Sequence, residues 1–425
     1  MDRASPVYRQ FVEILREELI PAMGCTEPIA VAYAAAMARD ILGAIPDRVL
    51  IEASSSIIKN VKSVVVPHSG HLRGLSAAAA TGLIAGKPLK GLELISSATE
   101  EEIAQIHRYM ETVSIETRLL ETPLVFDLAV TVWQGKSSAK VRLANSHTHV
   151  VCVEKNGVLL KQETVDDESS QGLTDRSNLT VESIWDFAQS LDPSDVRTIL
   201  DRQITCNMAI AEEGLRGEYG ANIGRVLLKT YGEDVRTRAK AMAAAGSDAR
   251  MNGCEMPVII NSGSGNQGIT VSVPVIVYAR DRGASDDDLY RALALANLVA
   301  IHQKDGIGRL SAFCGAVTAA AGAGAGIAYL LTRDYETVVH TIVNTLAIVS
   351  GMICDGAKAS CAAKIASAVD AAILAFNMFR NGHEFHGGDG IITKGVEATI
   401  RNVARLGHDG MKATNEEILR IMTGE

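Results

Sequence analysis

Aromatic residues are scarce in this chain, at 4% of 425 residues, with only two tryptophans. The core must therefore be filled by Ala, Val, Ile, Leu and Gly, which suits close helix packing. Positive charge is also short: 41 Lys and Arg face 50 Asp and Glu, a net charge of −9. That balance argues against nucleic acid or an anionic membrane surface as a partner. The opening MDRASPVYRQF has no apolar stretch of the kind a signal peptide needs. Seven cysteines is an odd number without framework spacing, so disulfides are not expected and a reducing cytoplasm is. Runs such as AVTAAAGAGAGIAYLL are apolar but short and dominated by Ala and Gly, which reads as buried core helix and not as a membrane span. There is no G-x-x-x-x-G-K-[ST], and a lone G-x-G-x-x-G at residues 263–268 is a weak signal, so the case for a nucleotide loop is weak. No lysine lies in a convincing Schiff-base setting with a phosphate cup, which weighs against a pyridoxal-phosphate lyase. A non-enzymatic scaffold of small-residue helices is the remaining alternative of another class.

What is present divides the chain in two. Its length favours two domains. Tyr8 to Leu19 has helical spacing, and Thr26 is placed to cap a helix that Gly43 ends. Arg48 to Val66 is rich in β-branched residues and reads as strand, turn and strand. Thr99 to Thr117 reads as an amphipathic helix. Leu124 to Trp133, Lys140 to Leu143 and Thr148 to Lys155 read as strands, with Asn156-Gly157 as a hairpin turn. Asp166 to Asn178 is polar and reads as a linker, and helical patterns dominate from Val181. The expected fold class is α+β: residues 1–170 form an α+β domain with an antiparallel sheet, and residues 171–425 form an all-α domain rich in Ala/Gly helices.

Several polar groups could form a site. NSGSGNQG, residues 261–268, offers Gly for close backbone approach and Asn261, Ser262, Ser264, Asn266 and Gln267 as neutral hydrogen-bond groups; a plain turn fits equally well. Lys304 could orient a carboxylate or lie on the surface. His147 and His149 would share one face of a strand and could be a metal pair, although no third ligand lies nearby and histidines on an edge strand are usually solvated. His383 and His386 lie among glycines and read as loop.

The cysteines of the C-terminal part carry more. Cys314, Cys354 and Cys361 are separated by 40 and 7 residues. A continuous helix would set Cys354 and Cys361 ~10.5 Å apart, too far to grip one small metal centre. The intervening DGAKAS allows a loop that folds Cys354 back. Cys314 and Cys361 each open a small-residue apolar helix candidate, where free N–H groups favour thiolate. Two thiolates at helix starts and a third on a loop could hold an iron–sulfur cluster with one iron left open. The alternative is three small buried cysteines in an Ala-rich core. C-x6-C is not among the usual zinc or ferredoxin spacings.

The residues of this stretch resemble a known family. CGAVTAAAGAGAG and GMICDGAKASCAAK resemble the cluster-cysteine segments of iron–sulfur L-serine dehydratases and, more closely, of the single-chain L-cysteine desulfidases. The desulfidase-like resemblance runs from PAMGCTEP to the C-terminal helix; the dehydratase-like one covers roughly Val258 onward. Those dehydratases carry an extra cysteine in a C-terminal tail, and this chain, ending EEILRIMTGE, has none. The resemblance implies a [4Fe–4S] cluster on Cys314, Cys354 and Cys361 with one open iron. It implies Cys25 as acceptor of the Cα proton and the 261–268 loop as the carboxylate site. The implied reaction is β-elimination from L-cysteine to pyruvate, ammonia and hydrogen sulfide, or from L-serine to pyruvate and ammonia. The expected partner is a small amino acid, with no nucleic acid and no membrane, in a chain expected to form a homo-oligomer.

Overall fold

The computed structural model describes residues 1–165 and 174–424. The domain boundary expected at residue 170, and most of the expected linker, lie outside the described residues.

The N-terminal part is built on a six-stranded sheet. Its strands are β2 (Arg48–Ala53), β3 (Ser114–Leu119), β4 (Asp127–Gln134), β5 (Ser137–Ala144), β6 (Val150–Lys155) and β7 (Val158–Gln162), after a short β1 (Pro21–Met23) that lies elsewhere. The spatial order is β3-β2-β4-β5-β6-β7. All pairs are antiparallel except β2 with β3, so the sheet is mixed and not purely antiparallel. Register places Ile51 beside Val130 and Val130 beside Val141, one apolar row facing the core. The Thr26–Leu42 helix packs on β4 and β5. Its Ala-rich face permits close approach, and Gly43 ends it in the left-handed region at φ 85°. Asn156 and Gly157 make the β6–β7 turn with positive φ at both, as their types predict.

Two segments differ from the sequence reading. After β2 the chain forms a helix, Ser55–Val61, where a second strand was expected. Ile57 and Val61, four apart, are both fully buried, so helical packing overrides the β-branched signal. The amphipathic helix is Glu100–Thr112, capped by a reciprocal Thr99–Glu102 box, and its expected last residues become the edge strand β3.

The C-terminal part is helical from Val181–Ser190 onward, except for β8 (Pro257–Ile259). β8 pairs with β1 across the two parts, Ala22 opposite Val258. The Gly315–Thr332 and Ser360–Arg380 helices are long and apolar enough to cross a membrane by composition alone. Gly315–Thr332 instead packs among the Gly265–Arg282, Asp286–Ile307, Tyr335–Val349 and Ser360–Arg380 helices, as a core helix of small residues would. Phe187 joins the parts by packing edge-on against Phe11, at 5.4 Å between ring centres.

Candidate active site

One cavity gathers nearly every candidate residue. It encloses about 110 Å³ and is lined by Cys25, Ser262, Ser264, Asn266, Gln267, Lys304, Cys314, Cys354 and Cys361. Asn261 lies just beneath, fully buried, its Nδ2 donating to Asn297 Oδ1 at 2.9 Å.

Each cysteine is delivered by a distinct piece of backbone. Cys314 is the N-cap of Gly315–Thr332, and Cys361 is the second residue of Ser360–Arg380. Cys354 lies on a short extended stretch held against the first: Cys314 N donates to Met352 O at 3.1 Å and Cys354 N to Ala312 O at 2.6 Å. The loop between Cys354 and Cys361 is folded by Asp355, whose Oδ1 is 2.5 Å from both Lys358 Nζ and Lys364 Nζ. Burial alone would raise that carboxyl, but the two lysines hold it down at about 2. Lys59, itself buried, donates to Cys354 O at 3.1 Å and to Asn415 Oδ1 at 2.6 Å, which ties the C-terminal helix to this loop.

Burial acts against the helix-start N–H groups at Cys314 and Cys361. Burial pushes Cys314 up to about 12, with Cys354 adding and the Ala316 N–H opposing. Cys361 is raised for the same first reason. Desolvation thus outweighs the helix-start N–H groups when the thiols face only protein. Lys304 is pushed down to about 8 by burial, with Cys354 and Cys314 opposing.

A donor set of three sulfurs on separate segments, with Lys59, Lys304 and Lys364 beside it, fits a group that takes thiolates and carries negative charge. Among the described residues no three His, Cys, Asp or Glu side chains are close enough to hold a single metal ion. An iron–sulfur cluster is several atoms wide and takes more widely spaced thiolates, so the set suits a cluster and not a lone zinc.

Cys25 lies at the other side. It is the N-cap of Thr26–Leu42, the position expected for Thr26. Its Sγ donates to Glu27 Oε2 at 3.2 Å, and it packs with Val64, Met251 and Cys361. Burial first, then the Glu27 charge, push this thiol well above its ordinary value, with Arg250 opposing. The Thr26 hydroxyl is freed from capping and donates to Gly263 O at 2.9 Å, which joins the Cys25 turn to the Gly-rich loop. In that loop Ser262 and Gly263 both have positive φ, at 50° and 79°; glycine adopts this without strain and serine does not. The helix Gly265–Arg282 then begins inside the expected loop, so Gly265 to Gly268 are its first turn.

Among the lining residues that sequence reasoning did not single out are Glu27, Asn60, Arg250 and Arg309; His147 was singled out, but as half of a metal pair. His147 does not pair with His149. β5 ends at Ala144 and β6 begins at Val150, so neither histidine is on a strand. His147 turns inward, packs edge-on against Phe126 at 4.9 Å and is pushed down to about 4 by burial; Glu27 opposes, and Arg309 and Arg250 add. His149 faces outward to Glu163 at 2.9 Å.

The sequence of this chain matches a known enzyme family over most of its length. The family description "Serine dehydratase alpha chain" matches residues 89–420, well upstream of the Val258 start that the resemblance suggested. The chain is 54% identical to a UPF0597 protein of Desulfitobacterium hafniense (strain Y51), over 100% of this chain and 99% of that one. It is 52% identical to a UPF0597 protein of Lachnoclostridium phytofermentans, over 98% and 100%, and 47% identical to one of Treponema denticola, over 98% of each. This chain belongs to the serine dehydratase alpha-chain family and to the UPF0597 proteins.

Proposed function

We propose that this protein is an iron–sulfur lyase that cleaves L-cysteine to pyruvate, ammonia and hydrogen sulfide. The observation that carries the reading is the convergence of Cys314, Cys354 and Cys361 with Cys25 and the 261–267 segment on one cavity. Cys314, Cys354 and Cys361 would hold a [4Fe–4S] cluster. When bound, its open iron would supply a Lewis acid for the departing β-substituent.

The remaining chemistry falls to this chain's own groups. Cys25 accepts the Cα proton. It must first lose its own proton, and Glu27 Oε2, 3.2 Å away, is the acceptor within reach. The Cα–H electron pair forms the Cα–Cβ double bond as the Cβ–S bond breaks, and sulfur leaves with that bond's pair. The resulting enamine tautomerises to an imine, and water converts it to pyruvate and ammonia. Asn266, Gln267 and the loop backbone orient the substrate, and the buried setting of Lys304 suits a cation that offsets negative charge around the three cysteines.

The family match favours one second reading, the same elimination from L-serine with hydroxide as the leaving group. A soft thiolate suits iron better than hydroxide does. We expect the iron-replete protein to have the higher kcat/KM for L-cysteine, to act more weakly on L-serine and to leave D-cysteine untouched. A tenfold preference needs only ~1.4 kcal/mol in the transition state. Equal amounts of sulfide and pyruvate should appear from L-cysteine. Faster turnover of L-serine would move the assignment to the dehydratase reaction.

A further inference from the structure

Two arginines line the cavity, and their surroundings differ. Arg309 has a carboxylate partner: its Nη2 donates to Glu18 Oε1 at 2.7 Å, an oxygen that Arg176 also reaches. Arg250, near the end of the Val235–Met251 helix, is 2% exposed and makes no ion pair. Its Nη1 donates to Asn266 Oδ1 at 3.1 Å, while Nε and Nη2 are buried with no partner. A buried guanidinium with unused N–H groups is costly, and Arg250 has no carboxylate hydrogen-bonded to it among the described residues.

More unused donors lie beside it. Ser264 makes no side-chain cap on the 18-residue helix Gly265–Arg282, and the N–H groups of Gly265, Asn266 and Gln267 have no acceptor among the described residues. Any side chain at position 265 would run into the Arg250 guanidinium, so glycine there lets the guanidinium lie against the helix start. A helix N-terminus and an unpaired guanidinium together form a site for an anion.

Its position is set on both sides. The Gln267 side chain lies against Gly315, next to Cys314. Thr26, next to Cys25, donates to Gly263 O. A ligand anchored at Arg250 therefore lies between Cys25 and the three-cysteine side.

We infer that Arg250, with the first-turn N–H groups of the Gly265–Arg282 helix, holds the carboxylate of a zwitterionic α-amino acid and sets the site's requirement for an anionic end. That this amino acid is the substrate rests on the lyase reading; its binding does not. L-alanine has both charged ends and no leaving group, so it reports binding without turnover. Calorimetric titration of the anaerobically purified full-length protein should show L-alanine binding, with L-alaninamide at least ~10-fold weaker because its carboxylate is replaced by a neutral amide. Arg250→Gln should weaken L-alanine about 10- to 100-fold with iron content unchanged, and Arg250→Lys should recover part of the loss. In turnover, the Arg250→Gln defect should fall on KM more than on kcat. Equal wild-type affinity for L-alanine and L-alaninamide would overturn the inference, as would no L-alanine binding at millimolar concentration or full affinity in Arg250→Gln. The wild-type comparison stands even if that variant folds poorly. Arg250-dependent alanine binding without pyruvate from cysteine or serine would keep the inference and remove the lyase reading.

Discussion

The sheet and the cavity each bury a charge, and they treat it in opposite ways. In the sheet, Asp127 is fully buried and fully met: Arg142 donates to Oδ1 at 2.8 Å and to Oδ2 at 2.6 Å, and Thr122 donates to Oδ2 at 2.8 Å. In the cavity, Arg250 Nε and Nη2, Gln267 Oε1, Asn60 Oδ1 and His147 Nε2 are buried and unmet. Unpaired buried groups cost stability, and the proposed amino-acid ligand would relieve that cost at the cavity.

The comparison can be broken at several points. The largest effect is expected at Cys25. Cys25→Ser should lower turnover by about 10²-fold or more with cluster iron retained, the scale of a general base. Iron loss in that variant would make Cys25 a ligand. In the sheet, Arg142→Ala leaves Asp127 buried without its cation, and should lower unfolding free energy by on the order of 2–3 kcal/mol, with amino-acid binding unchanged.

His147 gives the cavity an acid liability. Its folded pKa, about 4, is below the ordinary 6.5, so the unfolded chain binds the proton first as pH falls. Its contribution should be constant above pH 6.5 and decline from there to about 4, by on the order of 2–3 kcal/mol. Denaturant melts at pH 7 and pH 4.5, for wild type and His147→Gln, should show a smaller pH dependence in the variant. The smallest effect is expected at Arg250. Arg250→Met should shift the ligand-free unfolding free energy by less than about 1 kcal/mol, or raise it, because the lost charge was unsatisfied. A loss as large as that of Arg142→Ala would show that both arginines serve the fold.

The sequence made some of this legible and hid the rest for physical reasons. Helices with caps and breakers could be read directly, as at Gly43 and at the Asn156-Gly157 turn, because those signals are local. The 55–61 segment was misread because its Ile and Val pack at helical spacing against partners that the sequence does not place nearby. Cys314, Cys354, Cys361 and the 261–268 loop could be found because each has an unusual local pattern. Glu27, Asn60, Arg250 and Arg309 were missed because each looks ordinary in its own neighbourhood, and His147 was noticed for its spacing to His149 but given the wrong partner. Only tertiary folding shows that Arg250 lacks the carboxylate that Arg309 has in Glu18.

The most direct test of the account is the iron and acid-labile sulfide content of anaerobically purified, reconstituted protein, wild type against Cys314→Ser, Cys354→Ser and Cys361→Ser, with Cys152→Ser and Cys206→Ser as controls. About four irons per chain are expected in wild type and controls, with visible charge-transfer absorbance lost in each of the three cavity variants. Wild-type protein that takes up no iron, or three variants that keep their full iron, would contradict it.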